Sequence, residues 1–130
     1  MLANLRHDNI MRLYEVIDTR TQVHLVMELC GGKNLYHHIK RRPLQRLPEV
    51  EAAWIFYQII NAVAFMHEIN IVHRDLKLDN ILIDDNSDDL IKLIDFGFAT
   101  ACNKDQKIVV QCGTTHYMCP DLVKKNPVNF

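Results

Sequence analysis

Two short polar segments, each bounded by apolar runs, constrain this chain most. They are His73-Arg74-Asp75-Leu76-Lys77-Leu78-Asp79-Asn80 and, fifteen residues after Asn80, Asp95-Phe96-Gly97. Ile71-Val72 precedes the first, Ile81-Leu82-Ile83 follows it, and Ile91-Lys92-Leu93-Ile94 leads into the second. Apolar runs this short and β-rich read as strands, so the polar residues must hang on the loops between them. A fold that accepts the pattern brings a carboxylate, a cation and two more oxygen donors to one cleft floor.

The rest of the chain supplies a scaffold for those loops. Leu13-Tyr14-Glu15-Val16-Ile17 and Val23-His24-Leu25-Val26-Met27 are β-rich runs joined by a polar segment of hairpin length, which predicts two antiparallel strands. Gly31-Gly32 then breaks the pattern and marks a connector between lobes, and Asn34 can cap a short helix over Leu35–Lys40 that Pro43 ends. The longest helix is expected over residues 48–68, with Pro48 at its first position and acid in its first turn. Ala53, Phe56, Ile60, Val63 and His67 recur at helical spacing, with Ile59 and Ala64 widening the stripe, and are expected to face the core. Residues 1–5 read as the last turn of a helix, since no cap residue opens them. Residues 99–121 show no sustained period and read as a long functional loop.

At 130 residues, 48% apolar and 24% charged, the chain fits one domain with a buried core. A net charge of −1 and a pI near 6.6 provide no basic field for a nucleic acid. The run Lys40-Arg41-Arg42 is short, stops at Pro43 and reads as a solvated helix end. No apolar run is long enough to span a bilayer and the first residues lack the plan of a signal peptide, so neither membrane nor export is expected. Cys30, Cys102, Cys112 and Cys119 form no C-x-x-C pair and no metal spacing with histidine, which suits a reducing compartment: the cytoplasm, with the nucleus as the alternative. Oligomeric state is not legible.

Phosphoryl transfer asks little covalent work of a protein beyond alignment of the nucleophile and neutralisation of charge. Asp75 can accept or orient a hydroxyl proton, Lys77 can reach the transferring phosphate, and Asn80 and Asp95 offer hard oxygen ligands to magnesium.

With Cys112-Gly113-Thr114-Thr115-His116-Tyr117-Met118-Cys119-Pro120-Asp121 downstream, these motifs resemble, in order and spacing, those of the eukaryotic protein kinase family. Lys77 and Thr114 are similar to serine/threonine rather than tyrosine kinases, and the calcium/calmodulin-dependent and SNF1-related branch looks nearest. The resemblance implies a partial kinase-like α+β fold: residues 1–27 a remnant of the small lobe, 28–34 the hinge, 35–130 an incomplete large lobe with catalytic loop and activation segment. It implies ATP and Mg2+ as cofactors and a protein substrate. It makes Met27 the gatekeeper, sets the backbones of Glu28 and Cys30 at the adenine edge, Asn34 near the ribose and Leu82 beneath the base. It also places Leu2, Leu13, His73 and Phe96 in a regulatory spine, and Thr114 as a bridge between Asp75 and Lys77.

The chain departs from the family in several ways. A full domain of this kind is about twice as long. The glycine-rich loop, the phosphate-anchoring lysine and its glutamate would precede Met1, and the later helices would follow Phe130. The expectation is a truncated domain with little turnover alone, and with a helix face left bare at about 25 cal/mol per Å². Val110 stands where a phosphorylated threonine is usual, so Arg74 loses a phosphate partner, and Asp121 replaces a glutamate.

Rival readings fare worse. Asp84, Asn86, Asp88 and Asp95 fall at positions one, three, five and twelve of a calcium loop, but position six is Asp89 instead of glycine and the flanks read as strands. His67-Glu68 with His73 lacks H-E-x-x-H spacing. The serious alternative is a non-catalytic, kinase-derived module that binds a partner or a nucleotide.

Overall fold

The computed structural model describes residues 5–84, 90–103, 107, 108 and 112–129. The expected strand pair is present as β1 (Leu13–Asp18) and β2 (Val23–Met27), antiparallel with Asp18 opposite Val23. Its turn is locked by Thr19, whose hydroxyl donates to the Gln22 carbonyl at 2.7 Å and accepts from the Gln22 amide at 3.0 Å. Only Leu13 of the two strands is buried.

β3 (Lys33–Asn34), β5 (Ile81–Ile83) and β6 (Ile91–Leu93) form an antiparallel sheet, and β4 (Ile71–Val72) pairs with β7 (Thr100–Ala101). Residues 9–11 extend the sheet alongside β6: the Leu93 amide donates to the Asn9 carbonyl at 2.8 Å and the Met11 amide to the Leu93 carbonyl at 2.9 Å. Gly32 is where the connector crosses this sheet. A Cβ there would lie 1.3 Å from the Ile83 carbonyl oxygen, so only glycine lets the backbones approach. β8 (Lys107–Ile108) pairs with β9 (Val128–Asn129), and α3 spans Pro120–Val123.

α1 (Leu35–Lys40) begins as expected, with Asn34 Oδ1 accepting from the His37 amide at 2.9 Å. Pro43 opens a 3-10 turn, Pro43–Gln45, after α1 has closed. The basic run is not simply solvated, because Arg42 and His38 both bond Glu51 and so tie α1 to the first turn of α2.

α2 spans Glu49–Glu68 with Pro48 as its N-cap, one position before the place expected for it. Its buried face is Ile55, Gln58, Ala62 and Met66, with Ile59 and Val63 partly buried against the core. The predicted stripe was centred on the wrong side: Phe56 is 63% and Ile60 47% exposed, and Ala53, Ala64 and His67 also face solvent. Apolar residues on both sides make the helical period ambiguous, and a glutamine in the buried face disguised it. Gln58 is tolerated because its Oε1 accepts from Asn9 Nδ2 at 2.8 Å and from the Ile91 amide at 3.1 Å, while Asn9 Nδ2 also donates to the Ile91 carbonyl.

The core joins Leu5, Ile10, Ile55, Met66, Ile71, Ile81, Ile91, Leu93 and Phe96. Each such side chain contributes about 1.5–3 kcal/mol by leaving water, and together they anchor β4, β5 and β6, between which the polar loops run. Of the helical turn expected over residues 1–5, only Leu5 is described, and it lies in no helix. Leu2, Asn86, Asp88, Asp89 and Val110 lie outside the described residues. The described residues between 99 and 121 are irregular apart from short pairings and turns, among them a 3-10 turn, Thr115–Tyr117.

Candidate active site

Asp75 is the hub. It is 4% exposed, in the loop after β4. Its Oδ1 accepts from the Thr114 hydroxyl at 2.7 Å and the Thr114 amide at 2.9 Å; its Oδ2 accepts from Lys77 Nζ at 2.8 Å and Asn80 Nδ2 at 3.0 Å. Burial alone would raise this carboxyl, but Lys77 and Thr114 outweigh it and hold it below the usual aspartate range. The hydrogen bond to Asp75 in turn raises Lys77 above the usual lysine value, so both are ionised at neutral pH.

Lys77 Nζ also donates to Thr114 Oγ1 at 2.9 Å, closing a triangle of Asp75, Lys77 and Thr114. Gly113 makes the triangle accessible to the backbone. Its φ is +99°, and a Cβ there would come within 2.3 Å of the Arg74 carbonyl oxygen.

Asn80 ends the 3-10 turn Leu78–Asn80, and its Nδ2 also donates to the Asp75 carbonyl at 2.9 Å. With the amide nitrogen committed twice, the amide oxygen is the atom left for a cation. Asp95 is brought alongside through its neighbour: the Ile94 amide donates to the Asn80 carbonyl at 3.0 Å, and His73 Nε2 meets the Ile94 carbonyl at 3.0 Å. Asp95 has φ +60°, and its Oδ1 accepts from the Gly97 amide at 3.2 Å. A carboxylate and one amide oxygen suit a hard cation that keeps water and phosphate in its shell, as magnesium does. Among the described residues no cluster of three or more His, Cys, Asp or Glu offers a self-contained metal site.

His73 is structural. Its Nδ1 accepts from the Asp75 amide at 3.3 Å, so Nε2 carries the proton given to Ile94, and burial lowers the pKa against the pull of Asp75 and Asp95. Its ring lies 4.9 Å from that of Phe96. Leu13 is buried, but outside the cluster that contains Phe96. Arg74 Nε donates to the Phe98 carbonyl at 2.6 Å, a partner within the chain. Asp121 is engaged by Asn126, whose amide donates to the Asp121 carbonyl at 2.8 Å.

The residues expected around a base fall at the end of β2, in the connector after it, and across one strand pair. Met27 ends β2, Glu28 and Cys30 follow it, and Asn34 pairs directly opposite Leu82 across β3 and β5. Asn34 Oδ1 is occupied by its cap. The Glu28 amide is already bonded to the Arg12 carbonyl at 2.8 Å. A cavity of about 240 Å³ opens beside Asp75, its lining including Arg74, Leu76, Thr114, Tyr117 and Met118. A larger hollow of about 620 Å³ between Arg42 and Glu49 contains none of these residues.

Sequence reasoning missed two features. Lys92, 7% exposed, sits inside β6 and pairs with Glu28, 2.8 Å between Nζ and Oε1; a lysine between Ile91 and Leu93 was the available signal. The Asn9 and Gln58 network had no local signature.

A family model described as protein kinase domain matches residues 1–129. The chain is 42% identical over 127 residues to sperm motility kinase 3A of Mus musculus, covering 98% of this chain and 24% of that protein. It is 38% identical over 122 residues to serine/threonine-protein kinase plk-2 of Caenorhabditis elegans, covering 94% and 19%. It is 38% identical over 127 residues to NUAK family SNF1-like kinase 1 of Mus musculus, covering 98% and 19%. The chain thus spans between 19% and 24% of the length of these relatives.

Proposed function

This chain belongs to the protein kinase family, and from that premise we propose that residues 73–97 are the proton-and-metal half of a site for ATP- and magnesium-dependent phosphoryl transfer to serine or threonine of a protein. The observation that carries the reading is the Asp75, Lys77 and Thr114 triangle with Asn80 at its edge. Asn80 and Asp95 would hold the magnesium, which when bound neutralises phosphate charge.

A carboxylate with four donors and a lowered pKa is a poor proton sink, so Asp75 acts first by orientation: an incoming hydroxyl takes the place of one donor and is aimed. Lys77, raised and cationic, is freed by that exchange to meet phosphate oxygens. The serine/threonine assignment is supported by Lys77 and by the likeness to the serine/threonine-protein kinase plk-2; the SNF1-like relative supports the branch expected.

A second reading rests on the same geometry. With every acceptor position of Asp75 filled, the site is closed at rest, as suits a module that binds nucleotide or a partner without turnover. Titration of the chain with a fluorescent ADP analogue and magnesium tests the first step: saturable, magnesium-dependent binding that Asp95→Asn weakens at least about tenfold is expected, and absence of binding would sink both nucleotide readings. Replacing the matched 127 residues of sperm motility kinase 3A with this chain and assaying γ-phosphate transfer to a serine peptide separates them. Transfer that Asp75→Asn abolishes supports the enzyme; retained nucleotide binding without transfer supports the module.

A further inference from the structure

Lys92 takes no part in the triangle, yet it is among the best-buried charges of the chain, with a side chain 9% exposed. An ammonium at such a place costs several kcal/mol unless it is paired. Its partner Glu28 is held three ways: Oε1 by Lys92 at 2.8 Å, Oε2 by the Arg12 amide at 3.2 Å, and its own amide by the Arg12 carbonyl at 2.8 Å. Burial alone would raise the Glu28 carboxyl, but the bonds from Lys92 and Arg12 bring it below its usual value, so the carboxylate is ionised at neutral pH.

The placement of the two residues is informative. Glu28 directly follows β2 and opens the connector to β3; Lys92 is in β6, three residues before Asp95. The pair therefore ties the strand leading to the metal carboxylate to the segment whose backbone is assigned to the base. Both side chains line a cavity of about 290 Å³ shared with Arg6, Arg12 and Tyr14, which includes neither Asp75 nor Asp95. A methionine would fill the Lys92 position without the desolvation cost, and what the lysine adds is a directed bond to one carboxylate.

We propose that Lys92 is a positioning residue for nucleotide binding: its ion pair with Glu28 sets the backbone of residues 28–30 relative to the strand that presents Asp95. This rests on the nucleotide reading of the preceding section. Lys92 touches no reacting group and acts only through Glu28.

The test compares Lys92→Met, Lys92→Arg and Glu28→Gln with the unaltered 130-residue chain. Amide hydrogen exchange is followed by residue without nucleotide, and affinity is measured with the fluorescent ADP analogue and magnesium. Lys92→Met is expected to speed exchange at the Glu28 amide, bonded to the Arg12 carbonyl, and at the Arg12 amide, bonded to Glu28 Oε2, while β5 and α2 keep their protection, and to raise Kd about tenfold. Lys92→Arg, which keeps the charge and the bond, is expected to restore both. Unchanged exchange and affinity in Lys92→Met would overturn the proposal, as would faster exchange spread evenly over the core, or an arginine variant as impaired as the methionine one. If Lys92→Met does not fold, Glu28→Gln carries the same two measurements. If the unaltered chain binds no nucleotide, the nucleotide reading fails by that result alone, and local exchange in the variants still decides whether the pair sets the connector.

Discussion

Thr114 grips Asp75 twice through one carboxylate oxygen, by its hydroxyl at 2.7 Å and its amide at 2.9 Å, although 39 positions separate the two in the chain. The contact joins the loop after β4 to the segment before α3. It makes the electrostatics of the site depend on a residue far away in sequence.

Replacing Thr114 with valine keeps the shape and the amide bond but removes the hydroxyl from both Asp75 and Lys77. Loss of about 1–3 kcal/mol of stability in urea unfolding is expected, because a hydrogen bond to the buried Asp75 charge is lost. Serine at the same position should stay within about 0.5 kcal/mol of the unaltered chain.

Gly113 admits no side chain. Alanine there combines a φ of +99° with a Cβ 2.3 Å from the Arg74 carbonyl oxygen, and a loss of at least about 2 kcal/mol is expected. At Gly97 a Cβ would approach only the Asp95 side-chain oxygen, at 3.1 Å, so the same substitution should cost distinctly less. Denaturation midpoints of the two variants, measured side by side, check the order.

Stability should fall with acid before any carboxylate titrates. His73 is neutral in the fold with a pKa lowered by burial, and a proton on Nδ1 would oppose the Asp75 amide. The unfolded chain therefore binds more protons near and below the ordinary histidine pKa of about 6.5, so this contribution is present above that value and is lost as pH drops toward the folded one. Thermal midpoints are expected to decline from a pH of about 7 downward, and His73→Asn, though less stable throughout, should show a flatter slope across that range.

The two sides of α2 should answer differently to substitution. Met66 is fully buried, and its change to alanine is expected to cost about 2–5 kcal/mol. Phe56 and Trp54, 63% and 49% exposed, should accept lysine within about 0.5 kcal/mol while lowering the binding of an apolar dye. Equal losses on both sides in urea unfolding would show that the exposed side is covered in solution.

Local chemistry was legible wherever a residue acts on its near neighbours. Asn34 caps α1 because its side-chain amide oxygen reaches an amide three residues on; Ile81–Ile83 and Ile91–Leu93 are strands because short apolar runs bounded by polar segments are too brief for a helix. The residues of the catalytic loop could be named for the same reason, as Lys77 and Asn80 reach Asp75 within five positions. The buried face of α2 was not legible, since the helix is apolar on two sides and packing against β4, β6 and Asn9 selects between them.

From sequence alone came the first strand pair, α1, α2 and the strands β4, β5 and β6 around the polar loops, the identity of the loop carboxylates and the family whose motifs they match. Tertiary structure alone decided that Asp75 is saturated by four donors, that Arg74 finds its partner in Phe98, and that Lys92 is neutralised by Glu28. The physical reason is range: caps, turns and strand periods are set within a few residues, whereas the protonation and orientation of a buried charge depend on whichever distant groups the fold packs around it.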